Sequence, residues 1–230
     1  MKKIFCIPYA GGSANVFMNL QDFLGKDIQV VPIELAGRGT RIRERAYEHF
    51  KEAVADVESM IINSLDDESI YICGYSMGSL IAFEVAVRLE TQGYKVEKLI
   101  VAANEAPSEQ VEFINVSDLS DEEFMEKLIE LGGIPKELCE KKRFLRMMLP
   151  IFKSDFSILY EYRSHVYKNK IKADIDVFWG EEDVPHGKVK SWAEHTTGEC
   201  TFYQFKGNHF FLLTEYNLFA EQLLISIGDK

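Results

Sequence analysis

Six short apolar runs recur along the chain, at residues 4–8, 28–34, 70–74, 98–103, 175–180 and 200–205. Several are continuous rather than alternating, as expected of strands buried on both faces of a parallel sheet. Between them the apolar spacing becomes helical. Val54, Val57, Met60, Ile61 and Leu65 mark one face of a helix over 53–65, and further helices are predicted over 17–24, over 77–92 with a stop near Gly93, and over 215–227. Strand and helix in alternation imply an α/β domain, a mostly parallel sheet joined by right-handed crossovers.

Residues 118–167 break this rhythm. They hold helical patterns over 122–131, 135–149 and 152–162, punctuated by Gly132, Gly133 and Pro150, and they lie between two strand signals. The block reads as a helical insertion before the fifth strand. A lid over one end of the sheet and a plain surface elaboration are the two readings of it. Residues 1–230 are otherwise expected to form a single domain, without repeats, low-complexity tracts or linkers.

Composition narrows the functional classes. A chain of 230 residues that is 47% hydrophobic supports one sizeable core. Its net charge of −11 argues against nucleic-acid binding, which needs a basic patch. Lys2 and Lys3 precede an apolar run, but Pro8, Gly11 and Gly12 interrupt it too early for a signal peptide. No apolar stretch approaches the roughly 18 residues of a membrane span. Cys6, Cys73, Cys139 and Cys200 are widely separated, with no C-x-x-C pair, and read as inert thiols. The expectation is a cytoplasmic monomer needing neither metal nor organic cofactor, with no nucleic-acid or membrane partner.

The chemistry is carried by Gly74-Tyr75-Ser76-Met77-Gly78. G-x-S-x-G is informative only between a strand and a helix, and that is its predicted context here. The turn would project the Ser76 hydroxyl from the sheet edge, with the helix that starts at Met77 pointing its positive end at the reacting centre. A serine needs a general base near neutral pH. Of His49, His165, His186, His195 and His209, the last follows the sixth strand within Gly207-Asn208-His209-Phe210 and suits that role. Asp183, in Gly180-Glu181-Glu182-Asp183 after the fifth strand, is the favoured orienting acid. Glu181 and Glu182 are adjacent, and Glu105, just after the fourth strand, is a competitor. Oxyanion donors are expected from the backbone N–H of Met77 and from the loop Tyr9-Ala10-Gly11-Gly12-Ser13, at Ala10. The rival reading of that loop is a phosphate-binding glycine loop, but it lacks the G-x-G-x-x-G spacing and no P-loop lysine follows.

Taken together, the segments PYAGGSANVF at 8–17, ELAGRG at 34–39, GYSMGS at 74–79, LGGIP at 131–135, WGEED at 179–183 and FKGNHFFL at 205–212 resemble the type II thioesterases, the free-standing editing enzymes of nonribosomal peptide and polyketide synthetases. The resemblance spans nearly the whole chain. It implies an α/β-hydrolase fold with a helical lid, Ser76, His209 and Asp183 as the triad, and backbone donors at Ala10 and Met77. It also implies a substrate: an acyl thioester on the phosphopantetheine arm of a carrier protein domain, hydrolysed to clear misprimed or stalled groups. Asn208 stands where the family often has glycine. Lys136, Lys141, Lys142, Arg143 and Arg146 in the inserted block form a candidate surface for receiving the carrier, the alternative being a solvated helix face. A hydrolase of free esters or small acyl-CoA species, and a silent binding protein on the same scaffold, are the rival functions. The arginine-rich stretch 38–45 has no role assigned by sequence.

Overall fold

A computed structural model describes residues 2–65, 69–109, 111, 114–130, 132, 134, 140–163 and 168–228. Its six strands are β1 (Lys2–Ile7), β2 (Ile28–Pro32), β3 (Ser69–Tyr75), β4 (Val96–Ala102), β5 (Asp174–Gly180) and β6 (Cys200–Phe205). They form one sheet in the order β2-β1-β3-β4-β5-β6, and every neighbouring pair is parallel. All six strands therefore end at one edge of the sheet, where the loops that follow them gather.

Five helices of ten or more residues are described: α1 (Phe50–Asn63), α2 (Met77–Thr91), α3 (Asp121–Glu130), α4 (Lys142–Arg163) and α5 (Tyr216–Ile227). Strand side chains alternate between two apolar layers. Phe5, Ile7, Ile70, Ile72, Leu99 and Val101 pack with α1 and α2, and with Ile158 and Tyr162 of α4. Ile4, Cys6, Tyr71, Cys73 and Phe178 pack on the other face with Phe17, Leu20 and the α5 residues Phe219 and Leu223. A smaller third core, including Phe124, Leu128, Leu145 and Phe152, joins α3 to α4.

Two expectations are corrected. The helix over 17–24 is a 3-10 segment, Ala14–Leu20, followed by a single α turn, Gln21–Leu24. Pro150 does not divide two helices: α4 runs through it for 22 residues. Proline inside a helix removes a hydrogen bond and costs about 3 kcal/mol. Pro150 is exposed, while Leu145, Ile151, Phe152, Ile158, Leu159 and Tyr162 of the same helix are buried. At about 1.5–3 kcal/mol for each large side chain, that burial outweighs the local loss. The predicted helix start at 135 and most of the LGGIP segment lie outside the described residues, as does Cys139. Among the described residues, no helix is long and apolar enough to cross a membrane.

Candidate active site

Ser76 sits between β3 and α2 with φ +52° and ψ −117°, a backbone conformation that serine rarely adopts. Its neighbours explain how the turn is held. A Cβ on Gly74 would collide with the backbone of Gly78 and Ser79, and one on Gly78 would collide with the carbonyls of Ile7 and Pro8. Both glycines are therefore required by close approach of backbone to backbone. The Ser76 N–H donates to Ala102 O at 2.8 Å. The buried Ser79 hydroxyl lies 2.8 Å from Gly74 O and 2.9 Å from Ala102 O, tying the start of α2 to β3 and β4.

His209 lies beyond β6. Its Nε2 is 2.9 Å from Ser76 Oγ and its Nδ1 is 3.0 Å from Asp183 Oδ1. A carboxylate only accepts, so the imidazole proton belongs on Nδ1, and the Nε2 lone pair faces the serine hydroxyl. Asp183 is placed by the turn after β5, where its N–H donates to Gly180 O at 3.1 Å. Glu181 and Glu182 point to solvent, and their N–H groups donate to Phe205 O and Gly207 O. The Glu105 carboxylate lies 4.0 Å from Arg163 and takes no part in the imidazole contact.

The loop after β1 lies at the same edge. The Gly11 N–H donates to Asp155 Oδ2 and the Gly12 N–H to Tyr9 O, at 2.7 and 2.8 Å. Of the Ala10, Gly11 and Gly12 amides, the last two are thus engaged within the protein. Met77 is the first residue of α2, and first-turn amides have no acceptor within their own helix. The arrangement holds a hydroxyl, an imidazole and a carboxylate in one series of contacts, the side chains that serine-based acyl transfer uses.

Sequence reasoning missed three supports. Tyr75, the variable residue before Ser76, donates its hydroxyl to His209 O at 2.6 Å and accepts from the Leu212 N–H at 3.2 Å. Its ring packs on Tyr9, Phe211 and Phe219, and burial pushes its pKa well up, so it stays a neutral donor. Asp155 of α4 makes a buried two-bond pair with Arg38, both contacts at 2.7 Å. Asn104, after β4, donates to Ser76 O at 2.7 Å. The position of Tyr75 next to Ser76 in the chain is the one sequence signal that could have placed it near the site.

The arginine-rich stretch now has partners. Arg38 holds Asp155, Arg41 pairs with Glu44 and Asp56, and Arg45 pairs with Glu48. The remaining histidines are elsewhere. His49 contacts Glu161 at 3.2 Å, and His195 is buried between Asn169 O and Ser108 Oγ. The His186 side chain and His165 lie outside the described residues. Of the basic residues of the inserted block, Lys141, Arg143 and Arg146 are exposed, whereas Lys136 and the side chain of Lys142 are outside the description. A groove of about 440 Å³ between α3 and α4 is lined by Met125, Ile129, Leu145 and Leu149, and none of Ser76, Asp183 and His209 borders it. Among the described residues, no cluster of three or more His, Cys, Asp or Glu could hold a metal ion.

Comparison with known proteins places this geometry in context. A family model described as a thioesterase domain matches residues 2–230. The gramicidin S biosynthesis protein GrsT of Aneurinibacillus migulanus is 32% identical, over 99% of this chain and 91% of its own length. A Brevibacillus parabrevis protein named linear gramicidin dehydrogenase LgrE is 30% identical, over 97% of this chain and 85% of its own. The solved structure of the type II thioesterase BorB from the borrelidin biosynthetic cluster superposes with a TM-score of 0.87 at 28% identity, covering 99% of this chain and 93% of that one. The sheet order and flanking helices are the α/β-hydrolase arrangement of such neighbours.

Proposed function

The chain belongs to the thioesterase domain family, and on that premise we propose that it is a serine thioesterase that edits acyl groups on carrier protein domains. Ser76 attacks the thioester carbonyl while His209 Nε2 takes the hydroxyl proton. Asp183 keeps the other imidazole proton on Nδ1 and stabilises the imidazolium. The Ala10 and Met77 amides receive the oxyanion. The imidazolium returns its proton to the departing thiolate, leaving an acyl group on Ser76. Water, deprotonated by His209, then attacks that ester and releases the carboxylic acid. The observation that carries this reading is the unbroken series of contacts from Ser76 Oγ through His209 to Asp183.

The carrier as substrate is supported by the company the chain keeps: a protein of gramicidin S biosynthesis and a type II thioesterase of a borrelidin cluster. The dehydrogenase name borne by one relative has no counterpart in the loop after β1, where Ala10-Gly11-Gly12-Ser13 lacks the dinucleotide spacing. In this reading residues 118–167 form a lid on a single domain, the enzyme works as a cytoplasmic monomer, and the exposed Lys141, Arg143 and Arg146 face the carrier.

Hydrolysis of an acetyl group on a phosphopantetheinyl carrier, compared with acetyl-CoA, tests the proposal. The expected kcat/KM advantage for the carrier is at least about tenfold, about 1.4 kcal/mol of differential transition-state binding. Equal rates would favour a hydrolase of small thioesters. Failure of a fluorophosphonate to label Ser76 would favour a silent binding protein.

A further inference from the structure

Asn104 occupies the loop that leaves β4, beside the nucleophile, and no step above uses it. Its side-chain nitrogen donates to the carbonyl oxygen of Ser76 at 2.7 Å. We propose that Asn104, held in place by Arg163, is a positioning residue for the oxyanion hole, fixing the peptide unit that carries the Met77 N–H. The inference rests on Ser76 being the nucleophile.

A peptide group is planar and rigid. The Ser76 carbonyl and the Met77 N–H belong to the same peptide, so an anchor on the oxygen sets the direction of the N–H. That peptide turns with ψ of Ser76, which stands at −117° with φ at +52°. Such a conformation persists only when its surroundings over-determine it. The Ser76 oxygen accepts from the Ser79 N–H at 2.9 Å and from Asn104 Nδ2. The first is a tight-turn contact at the start of α2, and the second comes from outside the turn. Hydrogen bonds accepted by a peptide oxygen also polarise its N–H, strengthening what that group can donate.

The orientation of the Asn104 amide follows from chemistry. Arg163 Nη2 donates to Asn104 Oδ1 at 2.7 Å. An arginine has no acceptor, so the oxygen must face Arg163 and the nitrogen must face Ser76. Arg163 is itself fixed: its side chain is only 2% exposed, and it donates to Ala106 O at 2.9 Å and Glu105 O at 3.1 Å. The Asn104 main chain is fixed as well, its carbonyl accepting from Trp192 Nε1 at 2.9 Å. Arg163 is the last residue of α4, so the inserted helical block reaches the nucleophile turn through two side chains. The second proposed donor is secured differently. The Ala10 N–H shares a peptide with Tyr9 O, and that oxygen accepts from the Gly12 N–H. There the anchor is a main-chain amide, whereas beside Ser76 it is a side chain.

The experiment compares Asn104→Ala, Asn104→Asp and Arg163→Lys with the parent and with Ser76→Ala. Readouts are kcat and KM for an acyl thioester, affinity for a trifluoromethyl ketone analogue that forms a tetrahedral adduct with the serine, and thermal stability. Deleting an oxyanion donor outright typically costs 10²–10³ in kcat, so losing only its alignment is expected to cost about tenfold to a hundredfold. KM is expected to hold within about twofold, and affinity for the analogue to fall in step with kcat. Asn104→Asp keeps the Arg163 contact but turns an oxygen toward the Ser76 carbonyl, so it is expected to fold and to lose at least as much kcat as the alanine variant. Arg163→Lys, which loses the fork that orients Asn104, is expected to fall between parent and alanine variant. Folded Asn104 variants with kcat and analogue affinity within about twofold of the parent would overturn the inference. So would a loss of stability without a loss of kcat. Turnover that persists in Ser76→Ala would instead overturn the proposed function, so the two failures are distinguishable.

Discussion

Replacing Arg38 by methionine should be among the most damaging changes available outside the nucleophile turn. The Arg38 and Asp155 side chains are 2% and 0% exposed and make two contacts of 2.7 Å. Arg38 Nη1 also donates to Gly12 O at 3.2 Å, while Asp155 accepts from the Gly11 N–H at 2.7 Å. Removing the guanidinium leaves a carboxylate sealed from water with one amide donor. Breaking a buried pair from one side costs about 3–5 kcal/mol, because the remaining charge stays desolvated. For a domain of this size each kcal/mol shifts Tm by about 2–4 °C, so the expected fall is about 6–20 °C. Removing both charges in Arg38→Met/Asp155→Leu should recover much of the loss. Arg41→Met is the control: Arg41 pairs with Asp56 and Glu44 at side-chain exposures of 21%, 28% and 50%, where such pairs are worth at most about 1 kcal/mol. Urea unfolding followed by tryptophan fluorescence, from Trp179 and Trp192, measures all three variants. A loss below about 1 kcal/mol in Arg38→Met, or a double variant weaker than the single, would refute the electrostatic reasoning.

Gly78→Ala should abolish folding or activity, since its methyl meets the Ile7 and Pro8 carbonyls, whereas Gly93→Ala, with φ +91° and open space around it, should cost only about 1–2 kcal/mol; circular dichroism melts separate the two outcomes. His195 should make stability fall in acid. Burial, the largest influence, holds its pKa below the ordinary 6.5 against smaller opposing effects from Asn169 O and Glu194. The unfolded chain therefore takes up the proton first: the contribution is complete above pH 6.5 and is lost as pH falls through the lower folded-state pKa. In urea titrations across pH, His195→Gln should flatten that slope, and an unchanged slope would reject the assignment. Reversing charge in Lys142→Glu/Arg143→Glu should raise KM for a carrier-bound acyl group and leave acyl-CoA turnover unaltered; unchanged carrier turnover would remove these residues from the docking surface.

Much of the molecule was readable from its pattern. The run at 200–205 is β6 as observed, and the other strand ends fall within about two residues; the inner strands β1, β3, β4 and β5 are mostly buried and so read as apolar runs, whereas β2 and β6 are partly exposed edge strands marked by shorter or mixed runs. The meeting of the Ser76, Asp183 and His209 side chains was legible because each follows a strand whose end the sheet directs to one edge. What escaped was tertiary. Nothing local in the sequence marks Asn104 as a donor to Ser76, or joins Asp155 to Arg38 across 117 positions. Tyr75 looked like a free position in a motif, although its hydroxyl reaches across 134 positions to His209 O. Pro150 misled by its local meaning, since the apolar face of α4 overrides the break.

The most direct test of the account is intact-protein mass spectrometry during turnover of an acyl thioester, with rapid acid quench. The account predicts one acyl adduct on the peptide containing Ser76, no adduct in Ser76→Ala, and formation slowed by about 10⁴-fold or more in His209→Ala. An adduct on another residue, or undiminished hydrolysis in Ser76→Ala, would contradict it.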